Sequence, residues 1–247
     1  MTTLKDFFAR HPRTALGFSG GTDSAYLLYA GTSLGADVRP YYIKTQFQPA
    51  FELADARRLA DELGVELTVI EADILADDAV AANPPDRCYH CKRALFTLLA
   101  ERAASDGYSE LIDGTNASDD PGDRPGTRAL RELRVLSPLR ECGITKADVR
   151  RLSREAGLFT YAKPSYACLA TRVPTGRRIE AGALGRIEAA ESALRALGYD
   201  DLRVRLCEGG VRLELPESVL ERAVRGRREI LRALDGMGRV TLDLRGR

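Results

Sequence analysis

In TALGFSGGTDSAYLLYAGTSL, Thr14–Leu34, a short apolar run over Thr14–Phe18 ends in Ser19-Gly20-Gly21. Apolar residues then recur at helical spacing through Asp23–Leu34. The spacing predicts a strand that leaves its sheet through a glycine turn and opens directly into a helix. Outward from this unit the alternation repeats. Val38–Ile43, Val65–Ile70 and Glu110–Asp113 read as strands, and Pro49–Leu63 and Arg87–Arg102 as helices, with Gly64 just past the end of the first. Strand–helix alternation of this kind predicts an α/β fold with a doubly wound parallel sheet, whose ligands bind at the carboxyl ends of the strands. Thr145–Gly157 reads as a further helix, with Thr145 as N-cap and Asp148 three residues on.

The pattern changes after about Arg172. Ile179–Leu197 is helical, Leu202–Cys207 and Val211–Leu215 form a hairpin around Glu208-Gly209-Gly210, Pro216–Leu234 is helical, and Val240–Leu244 is a last strand. This order predicts a domain over 1–171 and a small α+β domain over 172–247.

The 247 residues carry 37 Lys and Arg against 36 Asp and Glu, so no global charge draws the chain to nucleic acid. From Thr171 onward, however, there are 16 Arg, no Lys and 12 acids, which fits Arg-laced helix surfaces first and an anionic ligand or partner second. No apolar run approaches the ~18 residues of a membrane span. MTTLKDFFARHPRT lacks the apolar core of a secretory signal, so the expected location is the cytoplasm. Five cysteines in such a chain do not predict a disulfide framework.

Ser19-Gly20-Gly21-Thr22-Asp23-Ser24 has the context a phosphate site requires. Gly20 and Gly21 let the backbone approach phosphate oxygens, and the first helical amides and the helix dipole face the anion. The Ser19 and Ser24 hydroxyls can donate to it, whereas Asp23 is expected to face Mg²⁺ on the phosphates. Cys88 and Cys91 lie three apart near a predicted helix start, beside Lys92 and Arg93. A lone CxxC fits a zinc half-site, a redox pair or an Fe–S ligand pair alike. His90 lies between them, poorly directed for a shared metal. Cys168, in KPSYACLATR, is either a third reactive thiol or a small buried apolar residue. Lys92 is either a solvated surface lysine or a group that neutralises charge on a departing phosphate. Asn116, Asp119 and Arg124 fall in the polar stretch NASDDPGDRPGT after a strand's carboxyl end, where either ligand contacts or ordinary turn chemistry is expected. Arg203 and Arg205 share one face of a strand and suit a phosphate, or are simply solvated.

SGGTDS resembles the pyrophosphate loop (PP-loop) of the N-type ATP pyrophosphatases, a group that includes NAD synthetase, GMP synthetase, asparagine synthetase and several tRNA thiolases. GFSGGTDSAYLLYA, NPPDRCYHCKRALF, IDGTNASDDPGDRPGTRAL and KPSYACLATR, in that order, resemble the LarE family of ATP-dependent sulfur transferases. The resemblance implies adenylation of a carboxylate of pyridinium-3,5-biscarboxylic acid mononucleotide, then replacement of AMP by sulfur, in the making of the nickel-pincer nucleotide cofactor. It implies ATP bound at Ser19, Gly20, Gly21, Asp23 and Ser24, and substrate phosphate at Arg203 and Arg205 with Glu191. In single-cysteine members the residue matching Cys168 surrenders its own sulfur. The extra pair Cys88 and Cys91 matches the three-cysteine branch, where three thiolates hold a [4Fe–4S] cluster, and the three are expected to converge beside the nucleotide. A trimer-based homo-oligomer is implied as well, and the sulfide donor is left unnamed. Competing readings are a tRNA 2-thiolase, whose flanking zinc-binding CxxC pairs are missing here, an amide-forming ligase, which leaves the thiols without a task, and a nucleotide-binding regulator.

Overall fold

The structure is a computed structural model that describes residues 2–119 and 125–247. In chain order the elements are α1 (Leu4–Arg10), β1 (Arg13–Gly17), α2 (Thr22–Ser33), β2 (Asp37–Lys44), α3 (Ala50–Glu62), β3 (Thr68–Glu71), α4 (Asp78–Ala81), α5 (Arg87–Ser105), β4 (Leu111–Ile112), α6 (Pro125–Glu132), α7 (Pro138–Glu141) and α8 (Lys146–Glu155). Then follow α9 (Ala181–Ala196), β5 (Arg203–Cys207), β6 (Gly210–Glu214), α10 (Leu220–Arg225), α11 (Arg227–Ala233) and β7 (Arg239–Leu242), with short 3-10 turns between some of them. Two compact units divide the chain: Met1–Ile74 with Asp86–Tyr166, and Leu75–Pro85 with Ala167–Arg247.

The first unit is built on a parallel sheet in the order β3-β2-β1-β4. Side chains alternate across it as strand geometry requires. Leu16, Val38, Tyr42 and Ile112 point to one face and pack with Phe7, Phe8, Leu27 and Leu28 from α1 and α2. Ala15, Tyr41 and Leu111 point to the other and pack with Leu99 and Ala103 of α5. Both faces are covered, which is why Ala15 and Leu16, successive residues of β1 that face opposite ways, are both apolar and buried. Each fully buried Leu or Phe contributes roughly 1.5–3 kcal/mol. The capping box predicted at Thr145 is present: its hydroxyl accepts from the Asp148 amide, and Asp148 reaches back to the Thr145 amide. The strand expected at Val65 begins only at Thr68, because Val65 still donates to the Ala60 carbonyl at the end of α3.

The second unit holds a sheet in the order β5-β6-β7, with β5 and β6 antiparallel and β7 parallel to β6. The single helix expected over Pro216–Leu234 is broken into a 3-10 turn, α10 and α11. Gly226 is at once the C-cap of α10 and the N-cap of α11, and a β-carbon there would stand 3.3 Å from both the Arg222 carbonyl and the Tyr199 hydroxyl. Leu75–Pro85 joins this unit through Asn83, whose side-chain amide donates to the carbonyls of Pro174 at 2.8 Å and Arg177 at 3.2 Å. Among the described residues no helix is long and apolar enough to cross a membrane.

Candidate active site

β1 and β4 are neighbours, while β1 leads through α2 to β2 on its other side, so the sheet's switch in direction falls at the carboxyl ends of β1 and β4. Open α/β sheets bind ligands at such a point. Gly20 has φ +68°, and a β-carbon there would lie 3.1 Å from the Glu52 carbonyl and 3.2 Å from the Ala56 side chain, so the loop is pressed onto α3. Gly21 is the N-cap of α2 and offers no side chain to its first amides, which leaves them for an anion. Ser19 and Ser24 stand with their hydroxyl oxygens 3.2 Å apart across the loop. The turn after β4 rests against the same helix end: a β-carbon on Gly114 would stand 2.8 Å from the Ser24 nitrogen.

Asp23 is held at the loop by two partners from the chain. Its Oδ2 is ion-paired with Lys146, the first residue of α8, and its Oδ1 accepts from Asn116 Nδ2 at 3.2 Å. Both oxygens are thus taken by donors of the chain itself. Asn116 is buried, and its backbone amide donates to Asp119 Oδ2 at 2.9 Å.

α5 begins two residues after Pro85. Cys88 is exposed and Cys91 half-buried, one turn apart on the helix. Cys88 and Lys92 line a cleft of about 320 Å³ together with Thr115, Asp119, Gly126 and Thr127. A β-carbon on Gly126 would stand 3.0 Å from Lys92 Cδ, so that glycine gives the lysine room. His90, considered as a metal ligand, instead pairs with Asp86 at 3.2 Å. Arg124 lies outside the described residues. Beside Ser19 a second, mainly apolar cavity of about 130 Å³ is walled by Tyr41, Tyr42, Phe96 and Leu99.

In the second unit Cys168 caps the 3-10 turn Leu169–Arg172, and its carbonyl accepts from the Thr171 amide at 3.0 Å and the Thr171 hydroxyl at 2.9 Å. Arg172 reaches back to the Ala167 carbonyl at 2.9 Å and pairs with Glu191 at 2.7 Å, both side chains 0% exposed. Glu191 also accepts from the Val204 amide at 3.0 Å. It therefore fastens the cysteine turn, α9 and β5 together, which is a different task from completing a phosphate site at the surface. Arg205 donates to the Thr171 carbonyl and pairs with Glu214 at 2.7 Å. Burial, then the charges of Arg172 and Arg205, push the Arg203 pKa down, as expected where guanidinium groups crowd a place that suits an anion. Cys142 packs against the core of the first unit, and burial raises its pKa. Cys207 ends β5.

The geometry thus brings Ser19, Gly20, Gly21, Asp23, Ser24 and Asn116 together, and gathers Cys88, Lys92 and Asp119 around one cleft. Among the described residues no three His, Cys, Asp or Glu side chains are grouped as metal ligands. Lys146, Lys163 and Arg172 were not singled out from the sequence. Each has an acidic partner more than fifteen positions away, which no local pattern marks.

No protein-family model matches the chain. Along its whole length the chain is 34% identical to an uncharacterized protein of Synechocystis sp., covering 94% of that protein. It is 33% identical, again over its whole length, to the pyridinium-3,5-bisthiocarboxylic acid mononucleotide synthase of Lactiplantibacillus plantarum, covering 89% of it. A more distant likeness, 24% identity over 61% of this chain and 54% of the relative, links it to the tRNA-specific 2-thiouridylase MnmA of Thermotoga petrophila.

Proposed function

Because the chain belongs to the family of pyridinium-3,5-bisthiocarboxylic acid mononucleotide synthases, LarE, we propose that it is an ATP-dependent sulfur transferase that converts carboxylates of a pyridinium-3,5-biscarboxylic acid mononucleotide to thiocarboxylates. One observation carries the site assignment. The segment Asn116–Asp119 is tied at one end to Asp23 on the phosphate loop and at the other lines the Cys88–Lys92 cleft, so a group activated at the loop is delivered to the thiol helix.

MgATP is the substrate, its pyrophosphate held by the opening amides of α2 and the hydroxyls of Ser19 and Ser24. A substrate carboxylate oxygen attacks the α-phosphorus, and the bond to the bridging oxygen breaks. Pyrophosphate leaves and an acyl-adenylate remains. Sulfur attack on the acyl carbon then expels AMP, whose phosphate charge Lys92 offsets. Arg203 and Arg205 take the phosphate of the mononucleotide.

Three thiols are the donor type an iron–sulfur cluster takes, and Cys88 and Cys91 fit a ligand pair one helical turn apart. Held by these two and Cys168, a [4Fe–4S] cluster would supply transferable sulfur, since three ligands leave one iron open. Anoxic purification tests this: about four irons and matching acid-labile sulfide per chain are expected, and neither in a triple Cys→Ala variant. Loss of one H₂S equivalent from Cys168 after ATP and substrate would identify sacrifice of that thiol instead. The tRNA-modifying relatives match only part of the chain, and the net charge of +1 gives no global attraction to tRNA. Cytoplasmic location and assembly as a trimer or hexamer through the C-terminal unit complete the reading, the latter checked by light scattering.

A further inference from the structure

We infer that Lys163 is a positioning residue of the phosphate loop, setting the Gly20–Gly21 peptide for the pyrophosphate of ATP; this rests on the reading of residues 19–24 as the ATP site. Lys163 lies far from the loop in sequence, but its Nζ donates to the Gly20 carbonyl at 3.2 Å. The side chain is only 13% exposed. Asp55 of α3 holds the ammonium at 2.6 Å, and the Phe51 ring lies 5.5 Å from it. Gly20 is the left-handed residue of the loop, and the Glu52 carbonyl and Ala56 already back it from α3. Lys163 therefore completes a brace around one peptide group.

The consequence is directional. A peptide's carbonyl and amide point opposite ways, so a donor fixed on the Gly20 carbonyl also fixes the Gly21 amide, which donates to Ser19 Oγ at 3.3 Å and so orients that hydroxyl at the amino end of α2. A loop that must present amides to an anion gains when its carbonyls are held away from that anion, because carbonyl dipoles repel phosphate oxygens. Asp55 balances the charge of Lys163, so the lysine acts chiefly by fixing geometry.

The test is isothermal titration of the full-length protein with ATP, pyrophosphate and AMP, for wild type, Lys163→Met, Lys163→Arg and Asp55→Asn. Lys163→Met should weaken ATP and pyrophosphate about tenfold, the scale of one charge-assisted hydrogen bond. AMP, which lacks the part the loop holds, should bind within twofold of wild type. Lys163→Arg should recover most of the loss. Asp55→Asn, which leaves the ammonium without its holder, should cost about threefold, and it serves as the probe if Lys163→Met does not fold. Equal binding of ATP by wild type and both single-site losses overturns the inference alone. So does a parallel loss of AMP, which marks a general structural effect. Wild-type protein that binds neither ATP nor pyrophosphate overturns the reading of the loop, and this inference with it.

Discussion

Gly114→Ala is the sharpest probe of the link between the two loops at the sheet's carboxyl edge. A β-carbon on Gly114 would stand 2.8 Å from the Ser24 nitrogen and 3.2 Å from both the Asp23 carbonyl carbon and Ser24 Cα. These are backbone atoms of α2, so no side chain can swing away. The Gly114 backbone is not left-handed, and the penalty is steric alone. Restoring a 3.4 Å contact needs a shift of about 0.6 Å between the β4 turn and the start of α2, in line with the overpacking that costs roughly 1–3 kcal/mol. A misplacement near 1 Å can cost a hundredfold in a positioned site, so a shift of this size should raise the ATP KM by about tenfold. The assay is pyridinium-dependent ATP–pyrophosphate exchange, with thermal melting in parallel. Gly185→Ala is the control. Nothing lies within 4 Å of its β-carbon, and alanine within α9 should stabilise by about 0.5–1 kcal/mol while leaving exchange untouched. A Gly114→Ala protein with wild-type KM and melting temperature would refute the reasoning.

Other consequences are open to measurement. Glu191→Ala strands a fully buried guanidinium and should cost about 3–5 kcal/mol in urea denaturation; a loss under about 1 kcal/mol contradicts the clamp. Burial alone would raise the Glu214 pKa, but the hydrogen bond and charge of Arg205, with Arg212, outweigh it and hold the carboxyl below its usual 4.5. A depressed folded pKa means stability present above the unfolded value and lost as pH falls through the folded one, so Glu214→Gln should flatten the decline of melting temperature below about pH 5. Iodoacetamide at about pH 8 should alkylate exposed Cys88 well before Cys142, whose thiol burial pushes up; equal rates by peptide mass spectrometry would count against the buried position of Cys142.

Much of the fold could be read from local pattern, because the elements that seat the loop carry local causes. TALGF before SGGTDS gives strand, turn and helix within a dozen residues, and Thr145 with Asp148 writes its own helix start. Where the sequence misled, a longer-range contact prevailed. Apolar spacing runs unbroken through Gly226, but the close approach of the Arg222 carbonyl and the Tyr199 hydroxyl makes it a joint between two helices. Asp23 is placed at the loop by its local motif, but nothing local announces its partners Lys146 and Asn116, which come from elements about a hundred residues downstream. For Glu191 the resemblance implies a place beside a substrate phosphate, but no local pattern announces the Arg172 side chain and the Val204 amide that seal it from solvent.

The polypeptide passes from one unit to the other at three junctions, after Ile74, after Pro85 and after Tyr166. Neither unit is therefore a cassette. A fragment starting at Ala167 would be missing Asn83, which gathers the Pro174 and Arg177 carbonyls, and Ala81, whose carbonyl accepts from Ile179. Swapping tails between relatives at one splice point would strand the same eleven-residue excursion, Leu75–Pro85, beside a stranger. Chimeras of this architecture need the excursion and the tail exchanged together, and the two should change in concert over evolutionary time.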